Sequence, residues 1–280
     1  MQARTHAYLY ALGAIALWAT LAALSVSLSH IPPFLLTGVA LLIGSAPAWP
    51  QWRRWKLPPL TLALGIYGLF GFHFLLFIAL RHAPPIEANL VNYLWPLLMV
   101  VLAPLLLPRV HLRALHVLAA LLGFAGAAVA ILGARNGAAS GMVWAWGYLP
   151  ALGSAFIWAS YSLLTKRVAP FPTAAIGLFG LVSGGLSLLC HWALEPAASL
   201  SGRDWLLLTV MGLGPLGAAF YCWDKALKMG DARQIGILSY LTPLGSTALL
   251  MLVSGSAWSV SITLAATMII GAAALGSRAK

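Results

Sequence analysis

Acidic side chains are scarce in this sequence. Only five Asp and Glu occur in 280 residues, and all charged residues together make up 8%. A soluble domain carries about 25%. The five are Glu87, Glu195, Asp204, Asp224 and Asp231, each at or near the end of an apolar run. No carboxylate is therefore expected deep in a helix, which argues against a carboxylate proton relay. Cysteine is almost missing: Cys190 and Cys222 lie in apolar runs without CxxC spacing. They read as small buried thiols, not as a disulfide or metal site. There is no HExxH, no paired-Asp motif and no Ser/His/Asp set, which argues against an intramembrane enzyme. No cofactor and no metal is expected. The strict alternation of membrane β-strands is also absent.

What is present is apolar. Hydrophobic residues make up 61% of the chain. Runs of about 20 of them, the length that crosses a bilayer, follow one another with short breaks. The sequence predicts an all-α integral membrane protein with ten helices near 7–29, 34–49, 58–80, 86–107, 113–133, 143–165, 173–192, 204–226, 231–253 and 257–275. The first run is too long for the apolar region of a signal peptide.

The net charge of +11 is spread over short loops. A nucleic-acid footprint would cluster on one face, so no nucleic-acid partner is expected. The placement instead sets orientation. With the N-terminus in the cytoplasm, ten spans put 13 of the 16 Lys and Arg inside and leave Arg81, Arg135 and Arg203 outside. That asymmetry is the positive-inside rule, and a nine- or eleven-helix count would break it. Both termini are then cytoplasmic.

The chain also repeats itself. Ala11-Leu12-Gly13 followed by Trp18-Ala19-Thr20 returns as Ala151-Leu152-Gly153 followed by Trp158-Ala159-Ser160, an offset of 140. Ala79-Leu80-Arg81 returns as Ala226-Leu227-Lys228, and Tyr93-Leu94-Trp95-Pro96-Leu97 as Tyr240-Leu241-Thr242-Pro243-Leu244, at an offset of 147. The seven added residues fit the longer loop around 193–203. The halves are expected at 1–137 and 138–280, five helices each, forming one integrated transport domain. Five is odd, so the second half enters the membrane inverted, with Arg81 outside and Lys228 inside. Inverted repeats place a substrate site between them and supply alternating access.

Two five-helix halves, a Trp-Ala-Thr or Trp-Ala-Ser element in the first helix of each and a Tyr-Leu-x-Pro element in the fourth resemble the drug/metabolite transporter superfamily, and within it the EamA-type exporters. Tyr93-Leu94-Trp95-Pro96-Leu97 with His73 upstream is most similar to the aromatic amino acid exporters of that group. The resemblance implies a multi-pass protein of the bacterial inner membrane. Small multidrug exporters of the superfamily couple protons through a Glu in the first helix, and Leu12 to Leu24 hold none.

Candidate site residues follow from depth and face. Tryptophan favours the membrane interface, which suits Trp49, Trp52, Trp55, Trp144, Trp192 and Trp205. Trp18 and Trp158 fall near mid-helix at the same repeat position and are expected to line a central cavity. Tyr161 shares a helix face with Trp158. Asn89, Asn92 and Tyr93 give the fourth helix a polar, aromatic face, and Trp95 lies beside it. His73 is the most deeply placed ionisable residue, a functional candidate by default. Pro96 and Pro243 leave the carbonyls of Asn92 and Ser239 without their usual donor, so both helices should kink. Small residues in the fifth and tenth helices, such as Gly126 and Gly271, permit close packing, within the protein or at a dimer face. The expected substrate is a small amphipathic molecule, an aromatic or other apolar amino acid, moved without ion coupling by a monomer. A broad exporter of drugs or aromatic metabolites, proton-coupled through His73, is the alternative.

Overall fold

Paired prolines start three helices. Pro32-Pro33, Pro58-Pro59 and Pro84-Pro85 each place an extended proline at the cap and a second at the first helical position. The first is forced out of helical geometry by the ring that follows it. The second needs no acceptor for its missing N–H.

The computed structural model describes residues 2–133, 145–254 and 260–278. Arg135, Trp144 and Lys280, and the first residues expected of the sixth and tenth helices, lie outside them. The described helices are α1 (Gln2–Ala19), α2 (Leu21–Ser27), α3 (Pro33–Ser45), α4 (Pro59–Ile66), α5 (Phe72–His82), α6 (Pro85–Asn92), α7 (Trp95–Leu106), α8 (Ala114–Gly133), α9 (Tyr148–Leu164), α10 (Ala175–Leu194), α11 (Gly202–Leu213), α12 (Ala219–Met229), α13 (Ala232–Leu238), α14 (Leu241–Ser254) and α15 (Val260–Arg278). No strand occurs among the described residues. Nine stretches among them are long and apolar enough to cross a membrane. The expected sixth helix appears as α9, with 17 described residues.

Most stretches are interrupted helices. A 310 segment, Ala46–Trp55, extends α3. A π-helical turn at Tyr67–Gly71 joins α4 to α5, and another at Gly214–Ala218 joins α11 to α12. The two π turns are 147 residues apart, the offset of the sequence repeat. The helix is also broken just before each conserved-in-repeat proline: Tyr93–Leu94 separates α6 from α7, and Ser239–Tyr240 separates α13 from α14. Next to Pro243, the Ser239 carbonyl accepts from the Thr242 N–H at 2.9 Å. The short i→i+3 bond replaces the one that proline cannot make.

The largest helix contacts are α8 with α15, α3 with α10 and α1 with α12. A Cβ at Gly126 on α8 would stand 2.8 Å from Ile269 Cγ1 and 3.2 Å from the Ala265 carbonyl, both on α15. The small residues of the fifth and tenth helices therefore bring these two together. Gly126→Val should lower stability by about 1–3 kcal/mol, the cost of overpacking a filled interface. A thermal melt in detergent that matches the parent protein would overturn this assignment. Trp49, Trp52, Trp192 and Trp205 are exposed on the surface, whereas Trp55 is half-buried and donates its indole N–H to the Ala174 carbonyl at 2.9 Å.

The start of α3 is capped from far away. Its cap residue is Pro32, which has no side-chain acceptor. The Glu195 carboxylate accepts instead from the Phe34 N–H at 3.0 Å and the Leu35 N–H at 3.2 Å. It also accepts from Arg81 at 2.6 Å and from His191 Nδ1 at 3.0 Å. Three helices thus meet at one buried carboxylate. At the other end of the bundle Asp231 caps α13 and pairs with Arg233 at 2.6 Å. Burial raises the Asp231 pKa, but the bonds from Arg233 outweigh it and hold the carboxyl below its usual range.

Candidate functional site

A cavity of about 330 Å³ is lined from α1, α2, the start of α3, the length of α5, α6, the start of α7, α9, α11, α12 and α14. Small-molecule sites span about 300–1,000 Å³. Of the residues expected at the site, Trp18, His73, Asn92, Tyr93, Trp95 and Trp158 line it. Tyr161 does not. Its ring lies behind Trp158, with centroids 5.3 Å apart, on the π turn at Gly68. A side chain at Gly68 would enter that ring, so the glycine is what lets Tyr161 lie flat there. Pro96 and Pro243 are outside the lining, and the helix breaks that precede them carry Tyr93 and Thr242 to it.

The floor is a cluster of indole and phenyl rings. Trp18 meets Trp158 edge-on, with centroids 5.8 Å apart at 78°. Trp158 also packs against Phe72 at 5.4 Å and Phe220 at 5.6 Å. Trp95 meets Trp158 at 6.4 Å and 88°. Trp223, fully buried, lies under Trp18, Trp95 and Trp158. Edge-on and offset pairs of this kind hold their geometry better than a loose apolar wall would.

The four indole N–H groups divide two and two. Trp18 donates to the Pro215 carbonyl at 3.1 Å, in the second π turn. Trp223 donates to Ser162 Oγ at 3.1 Å. Those of Trp95 and Trp158 bond to no partner among the described residues, although both rings line the cavity. A buried indole N–H usually finds an acceptor, so these two are available to an occupant. His73 Nδ1 lies 2.6 Å from the Leu69 carbonyl. A carbonyl only accepts, so Nδ1 carries the hydrogen and Nε2 is left as the ring's acceptor. The Asn92 amide lies 2.9 Å from Ser154 Oγ, whose single hydrogen is shared between Asn92 and the Ala151 carbonyl at 2.7 Å.

The lining holds no Asp, Glu, Lys or Arg. It can stack an aromatic side chain and offer neutral hydrogen bonds. It cannot supply an ionic partner. Below the aromatic floor, Asp224 closes the α12 end: it pairs with Lys228 at 2.6 Å and accepts from Thr173 at 2.6 Å. Lys228 also donates to the Phe171 carbonyl at 2.8 Å and stands 4.0 Å over the Phe171 ring. Lys166 donates to the Gly230 carbonyl at 2.8 Å. No group of His, Cys, Asp and Glu with metal-site geometry occurs among the described residues.

Sequence reasoning passed over Phe72, Phe220 and Thr242, which line the cavity. Two of them carry a signal in the repeat. Phe220 stands 147 residues after His73, and Thr242 stands 147 after Trp95.

The model of the EamA-like transporter family matches residues 5–132 and 145–278. The aromatic amino acid exporter YddG of Ancylobacter novellus is 41% identical over 292 residues, covering 98% of both chains. The protein of the same name from Escherichia coli K12 is 27% identical over 97% of both chains. A solved crystal structure at 42% identity superposes with a TM-score of 0.90, over 98% of this chain and 97% of that one.

Proposed function

This chain belongs to the EamA-like transporter family, and from that premise we propose that it exports aromatic and other apolar amino acids across the bacterial inner membrane by alternating access. It is a multi-pass membrane exporter and not an enzyme. The architecture proposed is ten spans in two inverted five-helix halves, 1–137 and 138–280, with both termini cytoplasmic. Two stretches matched by one family model support the halves. So do the π turns at the repeat offset. The 13-to-3 division of Lys and Arg supports the orientation. In that orientation the cavity lies toward the outer side of its aromatic floor.

One observation carries the substrate reading: the rings of Trp18, Trp95, Trp158 and Phe220 line a cavity that has no Asp, Glu, Lys or Arg. An aromatic ring stacks against Trp18, Trp158 and Phe220. The ammonium meets ring faces by cation–π contact and His73 Nε2 as acceptor. No carboxylate lines the cavity to carry a proton through the cycle, so transport follows the substrate gradient, and His73 is the group that a proton-coupled mechanism would have to use. The two halves rock about the site and expose it to each side in turn.

Counterflow in proteoliposomes tests this. Labelled tryptophan should enter vesicles preloaded with unlabelled tryptophan when the pH is equal on both sides. Excess tryptophan should compete far better than a hydrophobic cation. Flux that needs a pH difference would sink the uncoupled mechanism. Stronger competition by the cation would support the broad drug exporter with coupling through His73.

A further inference from the structure

The second span ends in a 310 segment, Ala46–Trp55, which closes on Trp49-Pro50-Gln51-Trp52-Arg53-Arg54-Trp55 and is followed by Lys56. Ten residues is long for this kind of helix, which seldom exceeds three or four. Pro47 and Pro50 give part of the reason, because neither has an N–H for an α-helical bond. Packing gives the rest. The Trp55 indole donates to the Ala174 carbonyl at 2.9 Å, and the Trp49 indole donates to Ser45 Oγ at 3.0 Å. A Cβ at Gly177 on α10 would collide with that of Ala48. The segment is thus pinned against the start of α10 and held in one shape.

What the segment holds outward is aromatic and basic. Trp49 is 50% exposed and Trp52 61%. Arg53, Arg54 and Lys56 are exposed as well. The Arg53 guanidinium stands 5.8 Å from the centre of the Trp52 ring, and Arg54 donates to Gln51 Oε1 at 3.1 Å. None of the three cations pairs with a carboxylate among the described residues. The chain has no Asp or Glu before Glu87. The counterpart link in the second half, from Glu195 to Asp204, carries those two acids and a single Arg, Arg203. The basic cluster therefore belongs to one link and not to the repeat. A ligand that suits it brings a negative charge and an apolar body together. Indole rings sit at the level of lipid head groups, and a guanidinium meets phosphate oxygens through its planar fork.

We propose that Trp52, Arg53 and Arg54, with Trp49 and Lys56 beside them, form a site for the head group of an anionic phospholipid. In the orientation proposed above, this end of the span is cytoplasmic, where anionic head groups attract basic segments next to a span. The unpaired positive charge selects an anionic head group over a zwitterionic one, which brings its own cation. The site lies outside the transport cavity, and its binding does not depend on which substrate the cavity takes.

The test uses the purified full-length protein in detergent. It is titrated with phosphatidylglycerol or with phosphatidylcholine of the same acyl chains, and bound lipid is counted by native mass spectrometry. The parent should bind phosphatidylglycerol the more tightly. Each Lys or Arg near an anionic surface is worth roughly a fivefold factor in affinity. Arg53→Gln combined with Arg54→Gln should therefore weaken phosphatidylglycerol by about tenfold or more and leave phosphatidylcholine nearly unchanged. Both side chains are exposed, so this variant should melt with the parent. Arg109→Gln combined with Arg113→Gln removes the same charge from another link and should keep the preference. Equal loss in the two double variants would mean that net charge alone attracts the lipid, and would overturn the site. Equal affinity of the parent for both lipids would overturn it, and so would loss of both lipids together in the Arg53/Arg54 variant. Displacement of phosphatidylglycerol by an equal concentration of inorganic phosphate would mark a soluble-anion site and overturn the lipid assignment.

Discussion

Trp158→Ala should cut amino acid flux by at least about tenfold. The ring is 4% exposed and touches Trp18, Phe72, Trp95, Phe220 and Trp223. It also forms part of the cavity wall, with an N–H that no described residue accepts. A ring contact is worth about 0.5–1.5 kcal/mol beyond its burial. A hydrogen bond to a charged ligand group adds about 1.5–3 kcal/mol. Since every 1.4 kcal/mol or so is tenfold, the two together exceed one decade. The same substitution removes a core side chain at about 3–5 kcal/mol of stability, so lost flux alone does not isolate binding. Trp158→Phe does isolate it. Phenylalanine keeps most ring contacts and lacks the N–H. Its melt should stay within a few degrees of the parent, while its tryptophan flux falls severalfold. Normal flux in Trp158→Phe, measured in proteoliposomes, would leave Trp158 as a packing residue.

Glu195→Gln should destabilise the fold by about 2–3 kcal/mol, more than loss of Arg81. The Glu195 side chain is fully buried. One oxygen takes Arg81 and the Phe34 N–H; the other takes the Leu35 N–H and His191. Every one of these partners donates. Glutamine puts an NH₂ where one of those oxygens was, so a donor faces donors, and it removes the negative charge that suits a helix N-terminus. Bonds to a charged group carry about 1.5–3 kcal/mol each, and the sum is reduced because Arg81, 38% exposed, turns to water once released. Arg81→Gln removes only that half-exposed partner and should cost about 1 kcal/mol or less. Thermal unfolding of both variants in detergent decides the matter. If Arg81→Gln proved the more damaging, the carboxylate would be serving the ion pair and not the α3 cap.

Much of this was readable before any coordinates. Pro96 and Pro243 marked the helix breaks at Tyr93–Leu94 and Ser239–Tyr240 because a missing N–H and a bulky ring act on the turn just before them. The mid-helix placement of Trp18 and Trp158 at one repeat position pointed to a central cavity, and both rings line it. Tyr161 shows the limit of the same reasoning. Three residues after Trp158, it shares its face in one dimension, but the larger ring fills the wall and Tyr161 lies behind it on Gly68.

By itself the sequence determined the class and the parts. Continuous apolar runs exclude a soluble fold, and the scarcity of carboxylates removes the usual proton carrier. Proline and small residues place the breaks and the close contacts, because each acts on its own backbone and its nearest turns. Only the tertiary structure decided which groups meet. Glu195 caps a helix 161 residues away in sequence, Phe220 answers His73 across the ring cluster at 6.4 Å, and Thr242 keeps a hydroxyl without a partner. Helical periodicity says which side chains share a face; it does not say which other face they are pressed against. That choice belongs to packing, and hydrogen-bond satisfaction can be counted only when every neighbour is in place.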